Sequence, residues 1–296
     1  MNADRKIRGG TVMEYLKISG FSDEIAPDID TQFRVLNKLG IRYFEPRGIN
    51  GKNISELEDE EVLALRAVME KSGIRASSIG SPVGKIKIED DFEPHFELFK
   101  RVIKTAKMLG SRYIRMFSFY HNGGDDWTKE EREKVLARLR RMIEYAAGQD
   151  VVLLHENEKA IYGDNAARCL DLMKELSGPY FRAVFDPANF VQSGQDTKEA
   201  FELLRGYVEY MHIKDAFFED GKVVPAGYGD GNVPWILREL FTSGYEGFLS
   251  LEPHLGSFGG LAALGMDETR LASLPEGGEG TFTLACRALR EILAAL

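Results

Sequence analysis

Only two cysteines occur in the 296 residues, Cys169 and Cys286, and they share no CxxC spacing. That excludes a disulfide framework and a thiolate zinc site, and a reducing cytosol is the expected compartment. Long apolar runs are absent as well. Nothing approaches the roughly 18 consecutive apolar residues of a bilayer span. The opening MNADRKIRGGTVMEYLKISGF has no signal-peptide core, so no membrane partner is expected. Positive charge is scarce: 38 Lys and Arg stand against 47 Asp and Glu, for a formal charge of −9. Such a balance argues against a broad phosphate-backbone footprint, and so against nucleic acid as a partner. GxGxxG is missing after the first strand-like run, where GFSDEIAPD stands instead, so a dinucleotide-binding open sheet is disfavoured.

What is present is a regular alternation. Eight short β-branched or aromatic runs fall at 15–21, 41–46, 74–80, 112–119, 150–156, 180–186, 208–214 and 248–253. Between them apolar residues recur at helical spacing, as in FELFKRVIKTAKMLG (96–110), and TFTLACRALREILAAL (281–296) closes the series. Gly40, Gly73, Gly110, Gly148, Gly178 and Gly244 each follow a last apolar turn, where a left-handed cap is expected. Strand–helix repeats predict a parallel sheet, and eight of them predict an α/β fold of the (β/α)8 TIM barrel type. The expected layout is one domain over 15–296 behind a flexible N-terminal segment at 1–14. The irregular stretch 255–280 is the longest loop, a lid or an interface arm.

A barrel of this kind builds its site from the C-terminal strand ends. Those ends read His155-Glu156-Asn157-Glu158, Asp186-Pro187-Ala188-Asn189, His212-Ile213-Lys214-Asp215 and Glu252-Pro253-His254. From Glu156 to Asp186, His212 and Glu252 the steps are 30, 26 and 40 residues, each about one strand–helix repeat. Three carboxylates converging on one mouth repel unless a cation holds them, and an imidazole beside them adds one nitrogen donor. The donor set is hard and oxygen-rich, which suits Mn2+ or Mg2+, with Co2+ or Zn2+ as further occupants.

The same segments, together with FSDEI near the start and Gly227-Tyr-Gly229-Asp-Gly231, resemble the xylose isomerase-like TIM barrel superfamily, sugar phosphate isomerase/epimerase group. The resemblance implies one divalent metal ion held by Glu156, Asp186, His212 and Glu252, with Glu156 and Glu252 also the catalytic acid–base pair. It implies a metal-dependent isomerase or epimerase acting on a ketose or related keto-sugar through an enediolate, and small-molecule carbohydrate as the partner. Dimers and tetramers are common in the superfamily, so a homo-dimer or homo-tetramer is an open expectation. The alternative is a lyase on a keto-sugar or keto-inositol, either a dehydratase or a glycoside-eliminating enzyme. An apurinic-site endonuclease is a weaker reading, because its three-metal cluster needs more than the five histidines present and a ligand where Asn189 stands.

The remaining candidates are substrate-binding. Glu45 and Arg47 alternate onto one face of the second strand, to hold sugar hydroxyls or simply to pair with each other. Arg115 lies in an apolar strand and needs a partner, either a substrate oxygen or the Glu45 carboxylate. Asn189, Lys214 and His254 lie at the last three strand ends in order, Lys214 as an oxyanion holder or, less readily, a Schiff-base amine. Asp215 orients a neighbour or caps its loop, and GYGDGNVPW offers amides to a phosphate. His155 alternates away from Glu156 and reads as a core histidine. Phe117, Phe119, Phe217 and Phe218 pack or stack on a sugar, and Lys85 and Lys87 are either substrate-facing or solvated.

Overall fold

The computed structural model describes residues 17–123, 126–255 and 273–296. The 1–14 segment and most of the 255–280 loop lie outside the described residues. Eight parallel strands form the ring: β1 Lys17–Gly20, β2 Tyr43–Phe44, β3 in two pieces (Arg75–Ala76 and Ile79–Gly80), β4 Tyr113–Met116, β5 Val152–Glu156, β6 Phe181–Phe185, β7 Val208–Ile213 and β8 Phe248–Leu251. A continuous ladder runs β1-β8-β7-β6-β5-β4-β3. β2 closes it, since Glu45 N–H donates to Gly20 C=O at 2.9 Å and Tyr43 pairs with Arg75. The helices between are α1 Ile29–Lys38, α2 Asp59–Ser72, α3 Phe92–Leu109, α4 Lys129–Ala147, α5 Ala166–Leu176, α6 Thr197–Leu204, α7 Val233–Thr242 and α8 Gly278–Ala294, with a short extra helix at Pro187–Gln192. None among the described residues is long and apolar enough to cross a membrane.

Four of the six glycine caps have the expected left-handed backbone, with Gly73 at φ 67° and Gly110 at φ 71° closing α2 and α3. Gly148 does not. It stays right-handed at φ −64°, and Asp150 makes the left-handed turn at φ 55°. α5 instead runs into an extended Ser177, so Gly178 caps nothing.

Strand parity divides the core in two. Leu153, Phe185, Met211 and Leu249 face outward into the large apolar layer under the helices. Val152, Leu154, Val184 and Tyr210 face inward and form a separate small cluster inside the ring, with Tyr113 and Phe248 against it. Continuing each inward series by two residues reaches Glu156, Asp186, His212 and Ser250. The lower interior is therefore apolar and the upper interior polar. On β7 this parity depends on a bulge, because Val208 pairs with Ala183 while Tyr210 pairs with the very next residue, Val184.

Candidate functional site

Glu156, Asp186, His212 and Glu252 are all buried, and one ligand atom from each lies within 4.8 Å of the others. His212 Nδ1 is the hub, at 3.0 Å from Glu156 Oε1, 3.5 Å from Glu252 Oε2 and 3.8 Å from Asp186 Oδ2. Each glutamate splits its oxygens. Glu156 turns Oε2 to Arg115 at 3.2 Å, and Glu252 turns Oε1 to Arg47 at 3.2 Å. Lys214 Nζ lies 2.9 Å from Asp186 Oδ2 and 3.0 Å from Glu252 Oε2.

Burial and crowding set the electrostatics. Desolvation raises the Asp186 carboxyl to about 7, helped by the Glu252 and Glu156 charges against the pull of Lys214. Desolvation opposes ionisation of Glu156 too, but His212 and Arg115 win and bring it down to about 2. For Glu252 the same contest is won by Lys214 and His212, which hold it well below the ordinary range. Burial disfavours the His212 cation, yet the Glu156 and Glu45 carboxylates keep it well above the usual histidine value. Asp186 Oδ2 is buried with no hydrogen bond among the described residues, its contact with Lys214 being an ion pair without hydrogen-bond alignment. A crowded hard-donor set with one unsatisfied carboxylate oxygen fits a divalent ion well.

A proton and a metal ion compete for such donors, so affinity for Mn2+ should rise with pH. Below about pH 7 Asp186 carries a proton that the ion must displace, and the His212 imidazole, raised by the carboxylates around it, must lose one as well. We expect at least about tenfold weakening in all between pH 8 and 6, read by competition with a chromophoric chelator. A flat profile would mean that neither group is a ligand.

The cavity above the cluster holds about 340 Å3, at the small end for ligand pockets. Five of the six substrate-binding candidates line it: Arg47, Arg115, Asn189, Lys214 and His254. Asn189 is placed by the Asp186 cap on the short helix, whose Oδ1 accepts from Asn189 N–H at 2.9 Å, and its Nδ2 donates to Glu156 Oε1 at 3.2 Å. Arg47 stacks on Phe21 and is gripped by Asp23 at 2.9 Å and Glu24 at 3.2 Å. Burial, then the Glu252 charge, lifts Glu24 to about 7, and burial drops His254 to about 4.

Glu45 is the exception. It is fully buried beneath His212 and does not line the cavity, since its Oε2 accepts from Tyr210 at 2.9 Å and Ser250 at 2.7 Å. The expectation that it holds sugar hydroxyls is corrected, as is pairing with Arg115, whose carboxylate partner is Glu156. The phosphate loop is corrected too. The amides of Gly227, Gly229 and Gly231 donate to the Asp215 carboxylate at 2.9, 3.2 and 2.8 Å, so they face the protein's own anion. A Cβ on Gly229 would sit 2.5 Å from Asp215 Oδ1, which explains the glycine there.

Lys85 lines the cavity over the Phe117 ring, paired with Glu158 at 3.4 Å, whereas Lys87 points to solvent. Phe117 and Phe119 are fully buried packing residues and Phe217 and Phe218 lie off the cavity. His155 is a core histidine bonded to Ser118 at 2.9 Å, and burial lowers it to about 4. Sequence reasoning missed Asn157, which ties two strand ends together by donating to Asp186 C=O at 2.9 Å and accepting from Asp186 N–H at 3.0 Å. Its adjacency to Glu156 was the available signal.

A profile of xylose isomerase-like TIM barrels matches residues 33–270. The chain belongs to that family. Within the xylose isomerase-like barrels it is 26% identical over 157 residues to the 3-dehydroshikimate dehydratase of Bacillus anthracis, covering 50% of this chain and 56% of that one. It is 28% identical over 178 residues to the 2-epi-5-epi-valiolone 7-phosphate 2-epimerase of an Actinoplanes strain, covering 60% and 63%. The matched region thus spans under two thirds of either relative. Among solved structures, a xylose isomerase-like TIM barrel protein from Mycobacterium smegmatis in complex with magnesium superposes with a TM-score of 0.69 at 16% identity, over 97% of this chain and 99% of that one.

Proposed function

We propose that the protein is a divalent-metal-dependent isomerase or epimerase that moves a proton at the carbon beside the carbonyl of a small polyhydroxylated ketone. One observation carries this reading: Glu156 and Glu252 each give one oxygen to the ligand cluster and hold the other against an arginine on the cavity wall. Both glutamates also line the cavity, within reach of a substrate bound there. Glu156, Asp186, His212 and Glu252 would hold the ion, which when bound polarises the substrate carbonyl and offsets the negative charge that builds on its oxygen. One glutamate, ionised, takes the proton from carbon, and the other, entering the step protonated, returns its own proton. Lys214, buried among the same carboxylates, orients a substrate oxygen, and Arg115 and Arg47 keep the two glutamate side chains aimed. Return to the same carbon from the opposite side is epimerisation, and return to the neighbouring carbon is aldose–ketose isomerisation.

A second reading, loss of a β-hydroxyl as water, is favoured by the similarity to a dehydratase. The same base would remove the proton, and Lys214 would protonate the departing hydroxyl.

Metal analysis after Mg2+ or Mn2+ incubation should give about one ion per chain. With Mg2+, NMR in deuterated water should then show deuterium entering beside the carbonyl of a substrate ketose, or elimination from 3-dehydroshikimate under the second reading. No bound ion under either condition would end both readings.

A further inference from the structure

Below the ligand cluster, barrel strands that elsewhere contribute apolar side chains contribute polar ones instead. Ser19, Glu45, Ser77, Tyr210 and Ser250 are all buried there. Ser19 Oγ and Ser77 Oγ lie 2.6 Å apart, and Ser77 Oγ lies 2.8 Å from the Tyr210 hydroxyl. Tyr210 and Ser250 both donate to Glu45 Oε2. A buried carboxylate is costly, and this one reaches neither the cavity nor any Lys or Arg among the described residues. Its one ionic neighbour among them is His212, whose Nε2 lies 3.3 Å from Glu45 Oε2. His212 Nε2 has no hydrogen bond to any group among the described residues, although it is fully buried.

We propose that Glu45 is a positioning residue for the metal centre: it keeps a proton on His212 Nε2, which leaves the Nδ1 lone pair facing Glu156, Asp186 and Glu252. An imidazole has two nitrogens, and only the one without a proton binds a cation. A carboxylate behind Nε2 selects the correct tautomer, fixes the ring plane and makes Nδ1 a stronger donor. Tyr210 and Ser250 hold the carboxylate in place, with the Phe21 and Tyr210 rings edge-on to the imidazole at 5.2 and 5.8 Å. This role rests on the metal reading above.

The test is a titration of wild type, Glu45→Gln and Glu45→Met with Mn2+ against a chromophoric chelator, then with Co2+ followed by visible absorption. Glu45→Met removes the acceptor and should weaken Mn2+ binding about 10–100-fold, with an altered Co2+ spectrum. Glu45→Gln keeps an oxygen but loses the charge, so it should fall between. Circular dichroism and the metal-free melting temperature identify variants that are folded. Affinities within twofold of wild type in a folded Met variant overturn the proposal. If Glu45→Met does not fold, Glu45→Gln decides, and unchanged affinity with an unchanged Co2+ spectrum overturns it. Wild type that binds neither ion overturns the metal reading itself, an outcome distinct from a loading wild type with indifferent variants.

Discussion

Glu252→Gln should lower proton exchange at the substrate carbon by about a thousandfold, within the range of a lost acid–base group. Its metal affinity should also fall sharply, since an amide cannot replace a carboxylate among hard ligands. The matching variant, Glu156→Gln, should lose a similar amount of exchange but differ in stability. Arg115 is buried, with side-chain exposure of 6%, and Glu156 is its only carboxylate among the described residues. Taking the charge from Glu156 leaves a buried guanidinium without a counter-ion, which costs about 3–5 kcal/mol. Arg47 keeps Asp23 and Glu24 when Glu252 is neutralised, so that variant should melt closer to wild type. Thermal melts of the metal-free proteins check the order. Equal melting temperatures would mean that the Arg115 pair contributes little.

Asp215→Ala should be the most destabilising change away from the ligand cluster. The carboxylate collects four backbone donors, from Ala216, Gly227, Gly229 and Gly231. Each buried donor left unmade costs about 1–3 kcal/mol, and partial relaxation toward water brings the total to about 3–5 kcal/mol. For a barrel this size that is a drop on the order of 10 °C in melting temperature. Asp215→Asn keeps an acceptor and should lose less than half as much. A melting temperature within about 2 °C of wild type for Asp215→Ala would show that the loop holds itself without the carboxylate.

The barrel was legible because strand and helix periods alternate cleanly. The convergence of Glu156, Asp186, His212 and Glu252 was legible because each ends an inward-facing series. Glu45 misled, since its place on β2 says it faces inward and nothing in the local sequence says how deep. Depth is set by the stagger of β2 against β1, through Glu45 N–H to Gly20 C=O. GYGDG misled for a related reason: amides that suit a phosphate also suit a carboxylate, and Asp215 lies 12 residues before the first of them. Arg47 was foreseen as a substrate contact, but its grip by Asp23 and Glu24 joins two loops that no spacing rule connects.

The bulge between Val208 and Tyr210 decides where this protein can lose a residue as it evolves. Glu209 is the extra residue, so its deletion would leave Val208 opposite Ala183 and Tyr210 opposite Val184, with the inner site unmoved. Side chains in a strand alternate, so deleting Met211 instead would bring Ile213 to the place where His212 now stands, trading a cluster residue for an apolar side chain in a single step. Lineages descending from this sequence can therefore shorten the seventh strand at its bulge, while its length beyond Tyr210 stays frozen.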